Sequence, residues 1–434
     1  MDHARSSHPA VQRQLDRLAA LSPGRDILGL ERITALLARL GDPQRALPPV
    51  LHVAGTNGKG SVCAYLRAAI EAAGLTCHVY TSPHLVRFNE RIRIAGRLIE
   101  DDALAALVAE TLDAAEGIGA SFFEITTAAM FLAFSRAPAD ACVIEVGLGG
   151  RLDATNVIER PLVCGIAALG VDHQAFLGDE AETIAAEKAG IARPGAPLVT
   201  LRYADPIARS IDAVAAATGA KWLPRGGEWD ATVEGSGLAY RDAKGELALP
   251  LPRMAGPHQP DNAAIAVAML RHQNALIIPA AALAQAMDRA EWPARLQRLG
   301  NGALTRLLPP GVPLWLDGAH NPNAAAAVAE HFKGARDLRL ILGLLANKDP
   351  EGVLAPFAGI AQSACFVPVA GHDSHSPEAL VQAAEHLGIR ARAAPDLPEA
   401  LATIETLSPR TTVAIIGSLY LAGEALALNG ETPG

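Results

Sequence analysis

The chain is poor in aromatic residues: only 4% of its 434 residues are Phe, Trp or Tyr, although half are hydrophobic. Its core must therefore be assembled from Ala, Leu, Val and Ile. Cysteine is scarce too. The five cysteines (Cys63, Cys77, Cys142, Cys164 and Cys365) stand singly in apolar stretches with no C-x-x-C pair. This speaks against a disulfide framework and for buried thiols in a reducing compartment. No apolar run reaches bilayer-spanning length, and the opening Met-Asp-His-Ala-Arg has no apolar signal core, so a cytoplasmic protein that does not engage a membrane is expected. Positive charge is in deficit, with 37 Lys and Arg against 46 Asp and Glu and a net charge of −9. Nonspecific nucleic-acid binding is thereby disfavoured. Anionic ligands must be met by local groups, and Lys59, Arg87, Arg91 and Arg93 are candidates. There is no short internal repeat and no low-complexity tail.

The most informative segment present is His52-Val53-Ala54-Gly55-Thr56-Asn57-Gly58-Lys59-Gly60-Ser61. It reads as a glycine-rich turn between a buried strand starting at Pro49 and a helix from Val62 to Ala73 that stops at Gly74. Such a turn converges backbone amides on an oxyanion, adds the positive end of the helix, and lets Lys59 supply a mobile charge to a triphosphate. One glycine separates Lys59 from Ser61, where the usual phosphate-loop spelling has Lys and Ser/Thr adjacent. No G-x-G-x-x-G follows the strand, which argues against a dinucleotide site.

A chain of this length exceeds what one core usually supports, so two domains are expected. From residue 49 onward, short aliphatic runs alternate with Ala-rich helical stretches, the pattern of parallel sheets covered by helices. Strands are expected at 49–54, 76–80, 141–146, 162–168 and 197–200, with an antiparallel excursion over 221–252. The texture changes near 288–313, at Trp292-Pro293, Gly300-Asn301-Gly302 and Pro309-Pro310-Gly311. A second series of strands follows at 313–316, 338–343, 364–369 and 411–416.

Ligands bind outside the carboxyl ends of parallel strands, and several chemically capable residues fall there. Glu145 ends an apolar strand and is followed by Gly147-Leu148-Gly149-Gly150, placing a carboxylate where a phosphate-binding fold holds Mg²⁺. Thr81-Ser82-Pro83-His84 and Asp172-His173 follow two neighbouring strands and share that rim.

Together these stretches resemble the folylpolyglutamate synthase and dihydrofolate synthase family, relatives of the Mur ligases. The resemblance runs through Leu28 to Arg32, the 52–61 loop, TSPHLVRFNERIR (81–93), SFFE (121–124), EVGLGGRLDATN (145–156), DHQAFLG (172–178), EKAGI (187–191), HQPDN (258–262) and DGAHNP (317–322). It implies an α/β fold, with a P-loop NTPase-like parallel-sheet domain over 1–292 and a smaller Rossmann-like domain over 293–434. It further implies an ATP-dependent amide ligase using Mg²⁺, with two ions expected. Gly58, Lys59, Gly60 and Ser61 would hold phosphates, while Ser82, Glu145 and His173 would bind metal. Asn262, Arg295, Asp317 and His320 would meet ATP. The pterin end would contact Leu28, Gly29, Leu30, Ser121, Phe122, Phe123, Glu124, Leu152, Asp153 and Ala154. Lys188 would carry a carbamate, turning a cation into an anionic oxygen ligand for a second metal; Lys59, Lys188 and His173 are the catalytic candidates. Two departures from the family pattern stand out: Ala294 replaces a frequent glycine before Arg295, and Asn323 a frequent histidine.

The implied reaction activates a substrate carboxylate as an acyl phosphate, which the glutamate amine attacks to give an amide. The substrate is dihydropteroate, a tetrahydrofolate with its glutamate tail, or both, the bifunctional reading being preferred. From another class, a P-loop kinase or nucleotide hydrolase would use the same loop but leave the second domain and the EKAGI lysine without a task. The partners expected are small molecules, and the chain is expected to act as a monomer.

Overall fold

A computed structural model describes residues 5–21, 28–172, 174–404, 408 and 410–434. The chain divides into two compact units, one of residues 1–84, 88–253 and 259–291, the other of 85–87, 254–258 and 292–434.

The first unit is built on an eight-stranded sheet in the order β4-β3-β2-β5-β1-β6-β7-β8. The strands are β1 (Val50–Ala54), β2 (Cys77–Tyr80), β3 (Ile92–Ile94), β4 (Arg97–Leu98), β5 (Ala141–Glu145), β6 (Val163–Ile166), β7 (Pro197–Thr200) and β8 (Lys221–Pro224). From β2 to β8 all neighbours are parallel. Every residue of β1, β2, β5 and β6 is buried, as expected of strands with helices on both faces. From β1 the chain moves to β2 and β5 on one side and later to β6 on the other, so the end of β1 is a topological switch point, where open α/β sheets bind ligands.

The sheet is not wholly parallel. β3 and β4 form an antiparallel hairpin at its edge, turning at Ala95 (φ 45°) and Gly96 (φ 87°). Positive φ at both turn residues matches the two-residue turn whose twist suits a hairpin. The 221–252 excursion is also divided: β8 continues the parallel sheet, and the antiparallel part comprises β9 (Trp229–Glu234), β10 (Gly237–Asp242) and β11 (Gly245–Pro250).

All five cysteines are buried and free. His52, in the middle of β1, is also fully buried, and its Nε2 lies 2.9 Å from Thr155 Oγ1. Thr155 spends its hydroxyl proton on Asp153, so His52 donates to it as the neutral imidazole. Burial, reinforced by Arg193, lowers the His52 pKa to about 3. Between pH 6.5 and 3 the unfolded chain therefore binds a proton that the folded chain refuses, and stability drops as pH falls, by at most about 1.4 kcal/mol per pH unit from this group. Denaturant titrations from pH 7 to 4.5 should show a shallower loss for His52→Gln than for the parent; equal slopes would refute this origin.

The second unit carries a six-stranded sheet, β12-β13-β17-β14-β15-β16. Its strands are β12 (Gln297–Arg298), β13 (Leu314–Leu316), β14 (Asp337–Leu342), β15 (Ala361–Phe366), β16 (Ala391–Ala393) and β17 (Thr411–Ile416), parallel except for β12 at the edge. The aliphatic clusters on its two faces include Leu85 and Val86, which reach it from far upstream in the sequence.

Candidate active site

The loop after β1 is anchored from beneath. Thr56 N and Asn57 N both donate to Ala168 O (2.9 and 3.1 Å), and Thr56 Oγ1 donates to Gly170 O. The helix Lys59–Ala72 begins at once, with Gly58 at φ 84°, a value that favours glycine. Helix geometry leaves the first-turn amides of Lys59, Gly60 and Ser61 without carbonyls of their own helix, so they are available to an anion. Lys59 Nζ folds back to Thr56 O at 3.4 Å. A Cβ on Gly58 would stand 2.3 Å from Asn262 Oδ1, so Asn262 is packed directly on this turn. Gln259 joins the group. Fully buried, it donates to Ser61 Oγ and accepts from Tyr65 and from Asn262, all at 3.3–3.4 Å. Gln259 lies in the HQPDN motif, but a buried amide has no marker in sequence.

Register brings the carboxyl ends together. β1 pairs Val53 with Glu145, and β2 pairs Tyr80 with Ile144, which places Ser82 next to Glu145. Ser82 N donates to Glu145 Oε2 at 3.2 Å, and the carboxylate is buried. His173 lies outside the described residues. Among those described, no group of three or more His, Cys, Asp or Glu is placed to hold a metal. The hydroxyls of Ser61 and Ser82 and the Glu145 carboxylate are hard oxygen donors, few in number, and that suits Mg²⁺, which keeps most of its waters.

Lys188 belongs to the same rim. It sits in the last turn of the helix Ala181–Ala189, is 3% exposed, and donates to Gly55 O at 3.1 Å. Burial, then the nearby charge of Lys59, bring its pKa down to about 7, against an opposing pull from Asp172 and Asp153. Near neutral pH much of it is therefore an uncharged amine. Arg91, one of the cations that are candidates for meeting an anionic ligand, is enclosed by the protein. It is 2% exposed, donates to His84 Nδ1 at 3.0 Å and lies over the rings of Phe88 and Phe122.

The segments assigned to the pterin end divide by burial. Leu28, Gly29, Leu30, Phe122, Phe123 and Leu152 are half-buried, whereas Ser121, Glu124, Asp153 and Ala154 are buried. Ser121 and Glu124 form a capping box that starts the helix Phe122–Arg136. Glu124 Oε2 accepts from Ser121 N (2.7 Å) and Arg32 Nε (3.0 Å), while its buried Oε1 has no partner among the described residues. Asp153 is fastened from inside its loop by Leu148 N, Thr155 N and the Thr155 hydroxyl. Phe123 lies against Gly147, where a Cβ would meet its ring at 2.2 Å.

In the second unit, Arg295, Asp317 and His320 come together on two loops. Asp317, just beyond β13, accepts from Leu296 N and Ala319 N, both at 2.8 Å, and Gly318 N donates to Ala294 O at 3.0 Å. His320 Nδ1 lies 2.8 Å from Gly318 O. Ala294 and Leu296, flanking Arg295, have φ of 55° and 44°, which explains why a glycine suits position 294. Ala294 is fully buried. Ala294→Val combines a forbidden backbone angle with overpacking and should cost about 2–4 kcal/mol. A thermal melt is expected to read this as a fall of roughly 5–15 °C; an unchanged midpoint would contradict the conformation.

Residues 304–419 match the Mur ligase, glutamate ligase domain. The chain is 36% identical over 365 residues to dihydrofolate synthase/folylpolyglutamate synthase of Escherichia coli K12, covering 83% of this chain and 82% of that protein. It is 34% identical over 409 residues to folylpolyglutamate synthase of Lacticaseibacillus casei, covering 90% and 92%. The chain belongs to the folylpolyglutamate synthase/dihydrofolate synthase family. A solved member, Escherichia coli FolC in complex with DHPP and ADP, superposes with a TM-score of 0.87 at 33% identity over 97% of each chain. A bifunctional folylpolyglutamate synthase/dihydrofolate synthase with Mn, AMPPNP and L-glutamate bound gives 0.85 at 32% identity, over 98% and 99%. Among the described residues of this family member, no helix is long and apolar enough to cross a membrane.

Proposed function

We propose that this chain is a bifunctional dihydrofolate synthase/folylpolyglutamate synthase, joining L-glutamate to dihydropteroate and to the glutamate tail of tetrahydrofolate at the expense of ATP. The observation that carries the proposal is the meeting of the phosphate loop, the Ser82–Glu145 pair and the Lys188 amine at one sheet rim. A nucleotide hydrolase needs the first two; it has no use for a buried, near-neutral lysine.

In this reading the amides of residues 58–61 and the Lys59 ammonium hold the triphosphate, while Asn262, Arg295, Asp317 and His320 hold the rest of ATP. Mg²⁺, held by Ser82, Glu145 and His173, would neutralise phosphate charge, and positioning with electrostatics supplies most phosphoryl-transfer catalysis. The neutral Lys188 amine takes up CO₂, giving up a proton to become a carbamate able to hold a second ion. The substrate carboxylate attacks the γ-phosphorus, ADP departs, and the resulting acyl phosphate is attacked by the glutamate amine with loss of phosphate. Glu124 Oε1, a buried acceptor short of a donor, supports a pterin N–H at that end; leaving such an acceptor unmet is costly.

A P-loop domain, most of it within 1–292, and a ligase domain, most of it within 293–434, are carried on a single chain, which supports a working monomer. The buried free thiols support a cytoplasmic setting, and the net charge of −9 supports small molecules over nucleic acid as partners. Incubating the chain with ATP, Mg²⁺ and glutamate plus either dihydropteroate or tetrahydrofolate, and following ADP and product mass, tests the proposal. Both substrates should gain a glutamate with one ADP released per bond. Extension of tetrahydrofolate alone would restrict the enzyme to polyglutamylation, and ADP release independent of glutamate would favour a hydrolase.

A further inference from the structure

Lys188 is held to its place by a second loop. Arg151 N donates to Glu187 O at 2.8 Å, and the two segments touch through paired glycines. A Cβ on Gly150 would meet Glu187 O at 2.6 Å and Lys188 O at 2.8 Å; one on Gly190 would meet the Arg151 Cβ at 2.4 Å. Across this contact lies Arg193. Its Nη2 donates to Asn156 O (2.6 Å) and Oδ1 (2.7 Å), its Nε to Ile158 O (3.0 Å), and its Nη1 to Ala192 O (3.0 Å) and Gly190 O (3.2 Å). Asn156 is buried, and its Nδ2 donates to Arg151 O (2.9 Å) and again to Gly190 O (3.0 Å).

The Gly190 carbonyl, two residues beyond Lys188, is thus gripped by both side chains. We propose that Asn156 and Arg193 form a clasp that positions Lys188, fixing the final turn of its helix so that the amine reaches the carbonyl of Gly55 in the phosphate loop. Neither residue touches the reacting atoms; both act through Lys188. A guanidinium suits the task because its flat fork addresses several carbonyls at once, which a lysine ammonium cannot. Misplacing a reacting group by about 1 Å costs on the order of a hundredfold in rate, so the backbone that carries it must be tied on more than one side.

The inference rests on the proposed carbamate at Lys188, and its test separates the two. Purified chain is equilibrated with ¹³C-bicarbonate, and the carbamate carbon is observed by NMR, assigned by its absence from Lys188→Ala. The parent, Asn156→Ala, Arg193→Ala, Arg193→Lys and the double alanine variant are compared well below their melting points, with kcat and the KM for ATP measured alongside. The clasp predicts a resonance weakened about tenfold or more and kcat down about ten- to a hundredfold in Arg193→Ala, with the KM for ATP changed less than about threefold. Arg193→Lys should resemble Arg193→Ala, and the double variant should be little worse than the stronger single one, as expected of residues acting as one unit.

A parent chain without the resonance overturns the carbamate reading and this inference together. A parent with the resonance and folded variants that keep it in full, with kcat intact, overturn the clasp alone. Should Arg193→Ala fail to fold, Asn156→Ala and Arg193→Lys decide on the same criteria.

Discussion

Replacing Lys59 with alanine is expected to lower glutamate-dependent ADP release about a hundred- to a thousandfold, the usual consequence of removing one preorganised contact to developing charge. The fold should survive. Lys59 opens its helix at a half-buried position, and its hydrogen bond to Thr56 O is long at 3.4 Å. Alanine is the better helix former, so the melting temperature should change little. The variant has a second effect. The charge of Lys59 is the largest influence after burial in holding the Lys188 pKa down, so its removal lets that pKa rise and leaves less neutral amine at pH 7. Lys59→Arg separates the two effects: it keeps the positive charge that acts on Lys188 but presents a planar fork where a compact ammonium is needed. An intermediate rate for arginine and a near-dead alanine variant are expected. Near-normal turnover in Lys59→Ala would remove the phosphate loop from the mechanism.

Lys188→Ala is the second large loss, also expected at about a hundredfold or more. Its distinguishing mark is a mismatch between activity and stability. A buried lysine with a depressed pKa is itself a burden on the fold, because the unfolded chain lets the amine charge freely in water. Alanine removes that burden, although it opens a small void and frees the Gly55 carbonyl. Thermal melts with and without nucleotide should therefore show an apo midpoint changed by only a few degrees, roughly 1 kcal/mol either way, while catalysis is almost gone. Full activity in Lys188→Ala would eliminate the carbamate.

The longer strands of both sheets were readable because a strand covered on both faces reads as a largely apolar run, as Val50–Ala54, Ala141–Glu145 and Thr411–Ile416 do. β3, β4, β12 and β16 were not readable, since two or three residues carry no periodicity. Strand order was equally hidden. That Ser82 lies beside Glu145 depends on β2 pairing with β5, a long-range choice that neither segment encodes locally. The helix around Lys188, Ala181–Ala189, has small and charged residues all round and reads as solvent-facing. Only the motif resemblance marked Lys188, and its burial emerged when Gly150 let a loop close over it. The enclosure of Arg91 was hidden for a related reason: a charge in a basic stretch carries no local sign of the rings and imidazole that surround it.

Residues 85–87 and 254–258 belong to the second unit although the first surrounds them in sequence. The polypeptide therefore switches between units at five places, after residues 84, 87, 253, 258 and 291. Gly423 approaches Leu85 so closely that a Cβ there would lie 1.9 Å from the Leu85 carbonyl oxygen, and Leu85 and Val86 pack on an aliphatic cluster of that unit. A gene fragment starting near residue 293 would consequently encode a polypeptide with a gap where those two side chains belong, and its complement would display them to water. Splitting, permuting or swapping halves of this ligase requires the tripeptide 85–87 to be supplied in trans or grafted, since no single cut liberates either half whole.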